Sequence, residues 1–524
     1  MPSSCDKEVS KPKGLTVSVI CVMTAIDVNS AMTNSGTVSG TGLFNKISSW
    51  LLTTNYQRIG RLMVSVSVLW TLVVVVVGIV LGVERISSAS ELIDSTSATQ
   101  LFSIFRVGLI FGSIAPMTLG IAAAIVPMQI GSQVLAFARA AAFGAYLWFF
   151  GMIVVGVSYV GNGGPGGGDP QMVDLFILGL GIVIAGLLLV SASIATTILT
   201  SRRAGMTLMD APIFVWSSLV MTISLILTLP VMAGALIYVA VDHSYERATF
   251  GATDGVNAWI GWALTSPQIF LLAISTLGVL AQIVATMNKG KQPLRGGLFI
   301  GIGVMSTALI GTVTQSFYSL QLDGELNDVA KSLLPFLMFN ALPMLGVLIV
   351  LGLCLLAMKN EKAKPSAAFV LAFFGVGMVF TGMLGNALLR ITDLKLSNTV
   401  FDEAVLVYIG YGVVLGSFGA IAHFCPRIWG RKMPTMPVIG LGLLGVLGVV
   451  LAALPYYIAG FTNQPASRMT GDLGDNSQIW NSVAAIGQTI FLIFIFAFVG
   501  LVVKSSRSGE IADEEIFETV QANS

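Results

Sequence analysis

Redox and acid–base chemistry is done by few side-chain types, and this chain of 524 residues holds very little of the commonest one. It has two histidines, His243 and His423. Imidazole is the usual nitrogen ligand for iron, copper and zinc, so the count excludes any centre that needs several imidazoles at once. His423 stands beside Phe424 and near Trp429, the setting of a packed or interfacial residue rather than a ligand. His243, in the run Asp242-His-Ser-Tyr-Glu246, reads as a solvated loop residue. Cys5, Cys21, Cys354 and Cys425 are scattered singly, without the paired spacing of a disulfide framework or a zinc cage. The glycine run Gly163 to Gly168 lacks the Lys and Ser/Thr of a phosphate loop. One residue stands out by its setting. Arg106 is a guanidinium inside an otherwise apolar stretch, which is costly in lipid unless it is paired.

The elements that carry these residues are membrane helices. Hydrophobic residues make up 55% of the chain and charged residues 10%, against about 25% charged in a soluble protein. Mean hydropathy is +0.87. Apolar stretches of helix-spanning length fall at 61–83, 101–128, 139–161, 173–200, 212–240 and 257–286, then at 295–320, 330–357, 367–389, 403–424, 436–461 and 478–503. The expected architecture is therefore an all-α integral membrane domain of twelve helices. Lys and Arg cluster at alternate connections: Arg58 and Arg61, Arg139, Arg202 and Arg203, Lys289 to Arg295, Lys359 to Lys364, and Arg427 to Lys432. The intervening segments are acidic or glycine-rich. By the positive-inside rule both termini are expected in the cytoplasm.

Residues 1–55 read as a poorly ordered leader, residues 56–505 as the membrane domain and 506–524 as an acidic tail. The tail reads either as a solvated end or as a docking segment. With a net charge of +1, no nucleic-acid partner is implied. The expected partners are the lipid bilayer and other membrane subunits.

Several segments resemble subunit I of the heme-copper oxidase superfamily, the catalytic subunit of cytochrome c oxidases. They are Arg58-Ile-Gly-Arg-Leu, Gln100-Leu-Phe-Ser-Ile, Val126-Pro-Met-Gln-Ile-Gly-Ser and the long connection from Arg203-Ala-Gly-Met-Thr-Leu-Met-Asp-Ala-Pro to Trp216. Pro426-Arg-Ile-Trp-Gly-Arg431 and Trp480-Asn-Ser-Val-Ala-Ala-Ile-Gly487 continue the likeness in order. The resemblance implies twelve helices in three arcs, a bacterial-type cytoplasmic membrane, subunit II- or III-like partners, and heme and copper held by six histidines.

At the positions matched to those histidines this sequence has other residues. The low-spin heme ligand of span two falls on Phe105. The span-ten pair falls on Ala404 and Leu406, and a slip of one residue would give Val405 and Val407. The copper ligands fall on Ser266, Phe317 and Tyr318, the proton-relay glutamate on Gln268 and the crosslinking tyrosine on Phe270. Near the propionates, the arginine pair is replaced within Gln464-Pro-Ala-Ser467.

These replacements predict a chain without heme or copper, hence no cofactor, acting as a structural or assembly subunit of a respiratory-type complex. Two other readings stand beside it: an active terminal oxidase that pumps protons, as the fold would suggest, and a transporter or channel that reuses the empty cavities. Arg106 is expected to pair with Asp402 or Glu403 in the vacated heme site. The competing expectation is that all three are simply hydrated at their helix ends. Gln268, Gln282, Gln315 and Ser316 are read as inter-helix hydrogen-bond partners.

Overall fold

The computed structural model describes residues 53–86, 93, 95–164, 168–245, 267–289, 294–310, 319–322, 326–362, 364–466 and 476–511. Ser266, Phe317, Tyr318, Gln315 and Ser316 lie outside the described residues, as do the leader to residue 52 and the tail from residue 512. The described chain is almost entirely helical, because in hydrocarbon a helix satisfies its own backbone groups. The helices are α1 (Tyr56–Glu84), α2 (Ser95–Val107), α3 (Ala115–Ile130), α4 (Ala138–Val160), α5 (Pro170–Thr200), α6 (Ile213–Ser244) and α7 (Pro267–Met287). They continue with α8 (Arg295–Met305), α9 (Leu326–Phe336), α10 (Leu342–Glu361), α11 (Ala367–Leu389), α12 (Phe401–Trp429), α13 (Thr435–Phe461) and α14 (Ser477–Ser508).

Wider π-helical turns at Gly108–Ile114 and Leu337–Ala341 join α2 to α3 and α9 to α10 into single spans. Eleven spans among the described residues are long and apolar enough to cross a bilayer. The stretch expected at 295–320 is described as a shorter apolar helix, Arg295–Ile310. It is interrupted at Ser306 and Thr307, whose hydroxyls donate back to the carbonyls of Gly303 and Val304. Such local bonding competes with helix propagation.

Three spans are buried on nearly every side: α2–α3, α7 and α12. They are the spans on which the sequence placed the heme positions, the relay position and the copper residue Ser266. The others wrap them and keep an apolar face outward. On α1 that face is Leu69, Val73, Val76, Val80 and Val83, spaced three or four apart as a lipid-facing stripe requires. Neighbours in sequence pack as antiparallel hairpins, α4 on α5, α11 on α12 and α13 on α14, while α1 lies along α3 and α14.

Two differences from the sequence expectations concern helix ends. His243 is not in a loop: it occupies the last turn of α6, with Nδ1 2.9 Å from Asp174 Oδ1 on α5. The expected start of the acidic tail at residue 506 is still helix, since α14 runs to Ser508. Beyond it, Glu510–Ile511 (β2) pairs antiparallel with Arg431–Lys432 (β1). Arg431 donates to the Gly509 carbonyl and Ser505 Oγ to that of Lys432, so the end of α14 is tied to the end of α12.

Small residues set the helix separations, as expected where lipid removes the hydrophobic drive between helices. A Cβ on Gly375 of α11 would stand 2.6 Å from Gly416 N and 2.7 Å from Gly412 O of α12, both backbone atoms that cannot swing aside. On the same helix a Cβ at Gly377 would meet nothing within 4 Å. Gly375→Ala is therefore expected to cost about 1–3 kcal/mol through overpacking, while Gly377→Ala is neutral or slightly stabilising. Thermal unfolding in detergent separates the two; equal midpoints would refute the close-packing account.

Candidate functional site

α12 enters the bundle with two acids in succession, Asp402 and Glu403, in its first turn. Negative charge is favoured there by the unpaired N–H groups of the helix start. Successive residues on a helix point about 100° apart (3.6 residues per turn), so the two carboxylates need different partners. Asp402 Oδ2 accepts from Arg106 Nη2 at 2.8 Å, with the side chains 29% and 23% exposed. Arg106 thus comes from the last turn of α2, one residue beyond Phe105. Arg390, at the end of α11, also acts electrostatically on Asp402.

Glu403 is not met by Arg106. It is held by Arg85, the residue that caps α1, through two bonds of 2.8 Å, Nη1 to Oε2 and Nη2 to Oε1. This fork-to-fork geometry is the strong form of a guanidinium–carboxylate contact. The Arg85 side chain is completely buried. Its guanidinium carbon lies 4.7 Å from the centre of the Phe102 ring on α2 and 5.8 Å from that of Tyr456 on α13. The Arg85 carbonyl accepts from Asn481 Nδ2 of α14 at 3.0 Å, and Asn481 Oδ1 accepts from Gln464 Nε2 at 3.1 Å. Gln464 in turn accepts from Val400 N at the head of α12 and donates its own N–H to Ala459 O. The result is a buried polar layer joining α1, α12, α13 and α14, with Phe102 of α2 against it.

The sequence reading missed Arg85 and the role of Gln464. A signal was present: within 84–94, between Glu84, Glu91 and Asp94, Arg85 is the single cation. A lone cation at the end of an apolar span on the cation-poor side of the molecule calls for a buried partner.

Below this layer lie the positions matched to heme ligands. Phe105 is buried and belongs to the same apolar cluster as Phe102, Leu109, Val405, Leu406 and Val407. Ala404 faces elsewhere, packing with Val400, Tyr456, Ala459 and Ala484. Lower down, Leu109, at the start of the π-helical turn, reaches α12 at Gly410. A Cβ there would be 2.6 Å from Leu109 Cδ2. The Trp148 indole donates to the Phe111 carbonyl in the same wide turn at 2.8 Å. Further inside, Tyr411 O–H donates to Gln488 Oε1 at 2.5 Å and its ring stacks on Phe491.

The remaining predicted residues are scattered. Gln268 lies in the first turn of α7, and Phe270 is buried in the apolar core. His423 sits edge-on to Phe424, 3.5 Å from Thr286 Oγ1 of α7.

The match to known families is direct. The model of the family "Cytochrome C and Quinol oxidase polypeptide I" covers residues 58–490. The chain belongs to this family. It is 26% identical over 411 residues to a putative cytochrome c oxidase subunit 1-beta of Streptomyces avermitilis, covering 74% of this chain and 71% of that protein. It is 23% identical over 496 residues to a cytochrome c oxidase subunit 1 of Corynebacterium diphtheriae, covering 88% and 84%. With a quinol oxidase subunit 1 of Bacillus subtilis it shares 22% over 471 residues, covering 84% and 70%. Among solved structures, a heme-copper terminal oxidase dimer determined by cryo-electron microscopy superposes with a TM-score of 0.62 at 12% identity, over 87% of this chain and 86% of that one. The fold is that of oxidase subunit I, and the chain is a multi-pass integral protein of the bacterial cytoplasmic membrane.

At the positions that the resemblance assigns to the heme ligands, the side chains offer no donor atom to iron. Phe105, Ala404 and Leu406 carry no lone pair, and Val405 and Val407 carry none either, so the one-residue slip changes nothing. Among the described residues, no three of His, Cys, Asp and Glu stand together in a way that could hold a metal ion.

The part-exposed Arg106–Asp402 contact should contribute little. Asp402→Asn is expected to cost about 1 kcal/mol or less, an effect that shrinks further in high salt. The thermal midpoint measured at two ionic strengths checks this, and a large, salt-independent loss would contradict it.

Proposed function

We propose that this member of the oxidase polypeptide I family carries no heme or copper. It would act instead as a structural or assembly subunit of a respiratory-type membrane complex. The observation that carries the reading is the occupancy of the ligand positions: Phe105 and Leu406 are buried in one apolar core and Ala404 packs toward α13 and α14. In the heme-copper oxidases electron transfer to oxygen uses an iron and a copper held by donor atoms, and a fold does not bring chemistry without its site. Ser266, Phe317 and Tyr318 at the copper positions, and Gln268 in place of a proton-relaying carboxylate, support the same conclusion.

In this reading the basic ends of the helices face the cytoplasm, with both termini on that side. The residues before α1 form a leader and those beyond α14 an acidic cytoplasmic tail. The apolar outer faces meet lipid and neighbouring membrane subunits of the subunit II or III type.

The test is purification of the chain with whatever subunits accompany it, followed by iron and copper analysis, a reduced-minus-oxidised spectrum and an oxygen-consumption assay. The expected result is no heme band, no stoichiometric iron or copper, no oxygen uptake, and co-purifying oxidase-type membrane subunits. A stoichiometric heme spectrum would overturn the proposal.

A further inference from the structure

The geometry points to the Arg85–Glu403 pair as the internal tie that fixes α12 to α1 in this chain. It presupposes the heme-free reading in one respect, that no porphyrin holds the interior helices together instead.

Three observations carry the inference. The first is burial combined with geometry. A fully buried guanidinium meets a carboxylate through two parallel bonds of 2.8 Å, and the aromatic faces of Phe102 and Tyr456 cover it. Placing two charges at the end of a membrane interior is tolerated only when each satisfies the other. The second is position. Phe102 lies three residues before Phe105, and Glu403 directly precedes Ala404 and lies three before Leu406, so the pair sits within about one helical turn of the positions matched to heme ligands. The third is connection. Through the Arg85 carbonyl the pair is continuous with Asn481, Gln464 and Val400, reaching α14, the segment after α13 and the head of α12. A single buried contact therefore joins helices that are more than 300 residues apart in sequence, Arg85 and Glu403 being 318 apart.

The exposed ion pair on α9 does no comparable work. Lys331 and Asp328 are 77% and 61% exposed and lie within one turn of α9.

The experiment is a double-mutant cycle on the full chain in detergent or nanodiscs: Arg85→Met, Glu403→Leu and the two together, with Lys331→Ala as control. Each single variant strands a buried charge and should lower the thermal midpoint by about 5 °C or more. The double variant, with no charge left to strand, should recover at least half of the larger loss. Single variants that fail to accumulate while the double variant folds would support the tie equally. An additive double variant, or single variants indistinguishable from Lys331→Ala, would overturn it. So would failure of all three variants to fold, because packing and not charge pairing would then hold the joint. Absorbance in the heme region, read on the same wild-type sample, scores the heme-free reading separately from the cycle.

Discussion

A charge inside the hydrocarbon must find its opposite, and in this protein that requirement fixes the rotation of its central helix. Asp402 and Glu403 are adjacent, so they point in directions roughly 100° apart. Asp402 turns toward Arg106 of α2 and Glu403 toward Arg85 of α1. With those two directions set, every residue below on α12 has its neighbour assigned. Gly410 meets Leu109, Tyr411 meets Gln488 and Phe491, and Gly412 and Gly416 close on Gly375. The two pairs differ in worth. Breaking a buried, bidentate pair costs about 3–5 kcal/mol, whereas a part-exposed pair is worth about 1 kcal/mol or less. Glu403 is thus the anchor and Asp402 a second bearing.

At the opposite end of the bundle the ties are made differently. There Arg61 of α1 donates to the Ile428 carbonyl near the end of α12, and the β1–β2 pair binds the end of α14 to the segment after α12. These bonds use backbone carbonyls, the free acceptors of a helix C-terminus, which suit cationic side chains. Each end of α12 is therefore held by arginines from α1. At its start the arginine meets a carboxylate in a dry site, and at its finish a carbonyl in a partly wet one.

Most of the fold was legible because lipid writes a coarse code: about twenty apolar residues for each span, with cations gathered on one side. The spans at 367–389 and 436–461 match α11 and α13 almost residue for residue at their outer ends. What escaped is what hydropathy does not encode. The wide turn at Gly108–Ile114 leaves no mark in hydropathy: Pro116, just beyond it, has no N–H for the Gly112 carbonyl, and the fold sets the Trp148 indole on the Phe111 carbonyl. His243 looked like loop because polar residues surround it, yet α6 continues and Asp174 waits on α5. Arg106 was legible as a residue needing a partner since it interrupts an apolar run. Arg85 gave a weaker signal, a lone cation in the acidic segment 84–94, and only the fold brings Glu403 to it.

On the heme-free reading proposed above, an unoccupied cofactor slot would not be a stable state of the interior. Ligand cavities begin at about 300 Å³, and an empty apolar cavity costs about 24 cal/mol per Å³. A vacant slot of that size would cost about 7 kcal/mol, comparable with the whole net stability of a typical domain. A chain with this fold has two stable options: a bound group, or side chains that take up the volume and supply the missing contacts. Phe105, Leu406 and Leu109 are buried in the apolar core, Leu109 lying against Gly410 of α12, and Arg85 with Glu403 forms a buried ion pair at the head of that helix. The first set removes the donors that a metal would need. The second is self-satisfying, since the guanidinium's partner is a carboxylate of the chain itself.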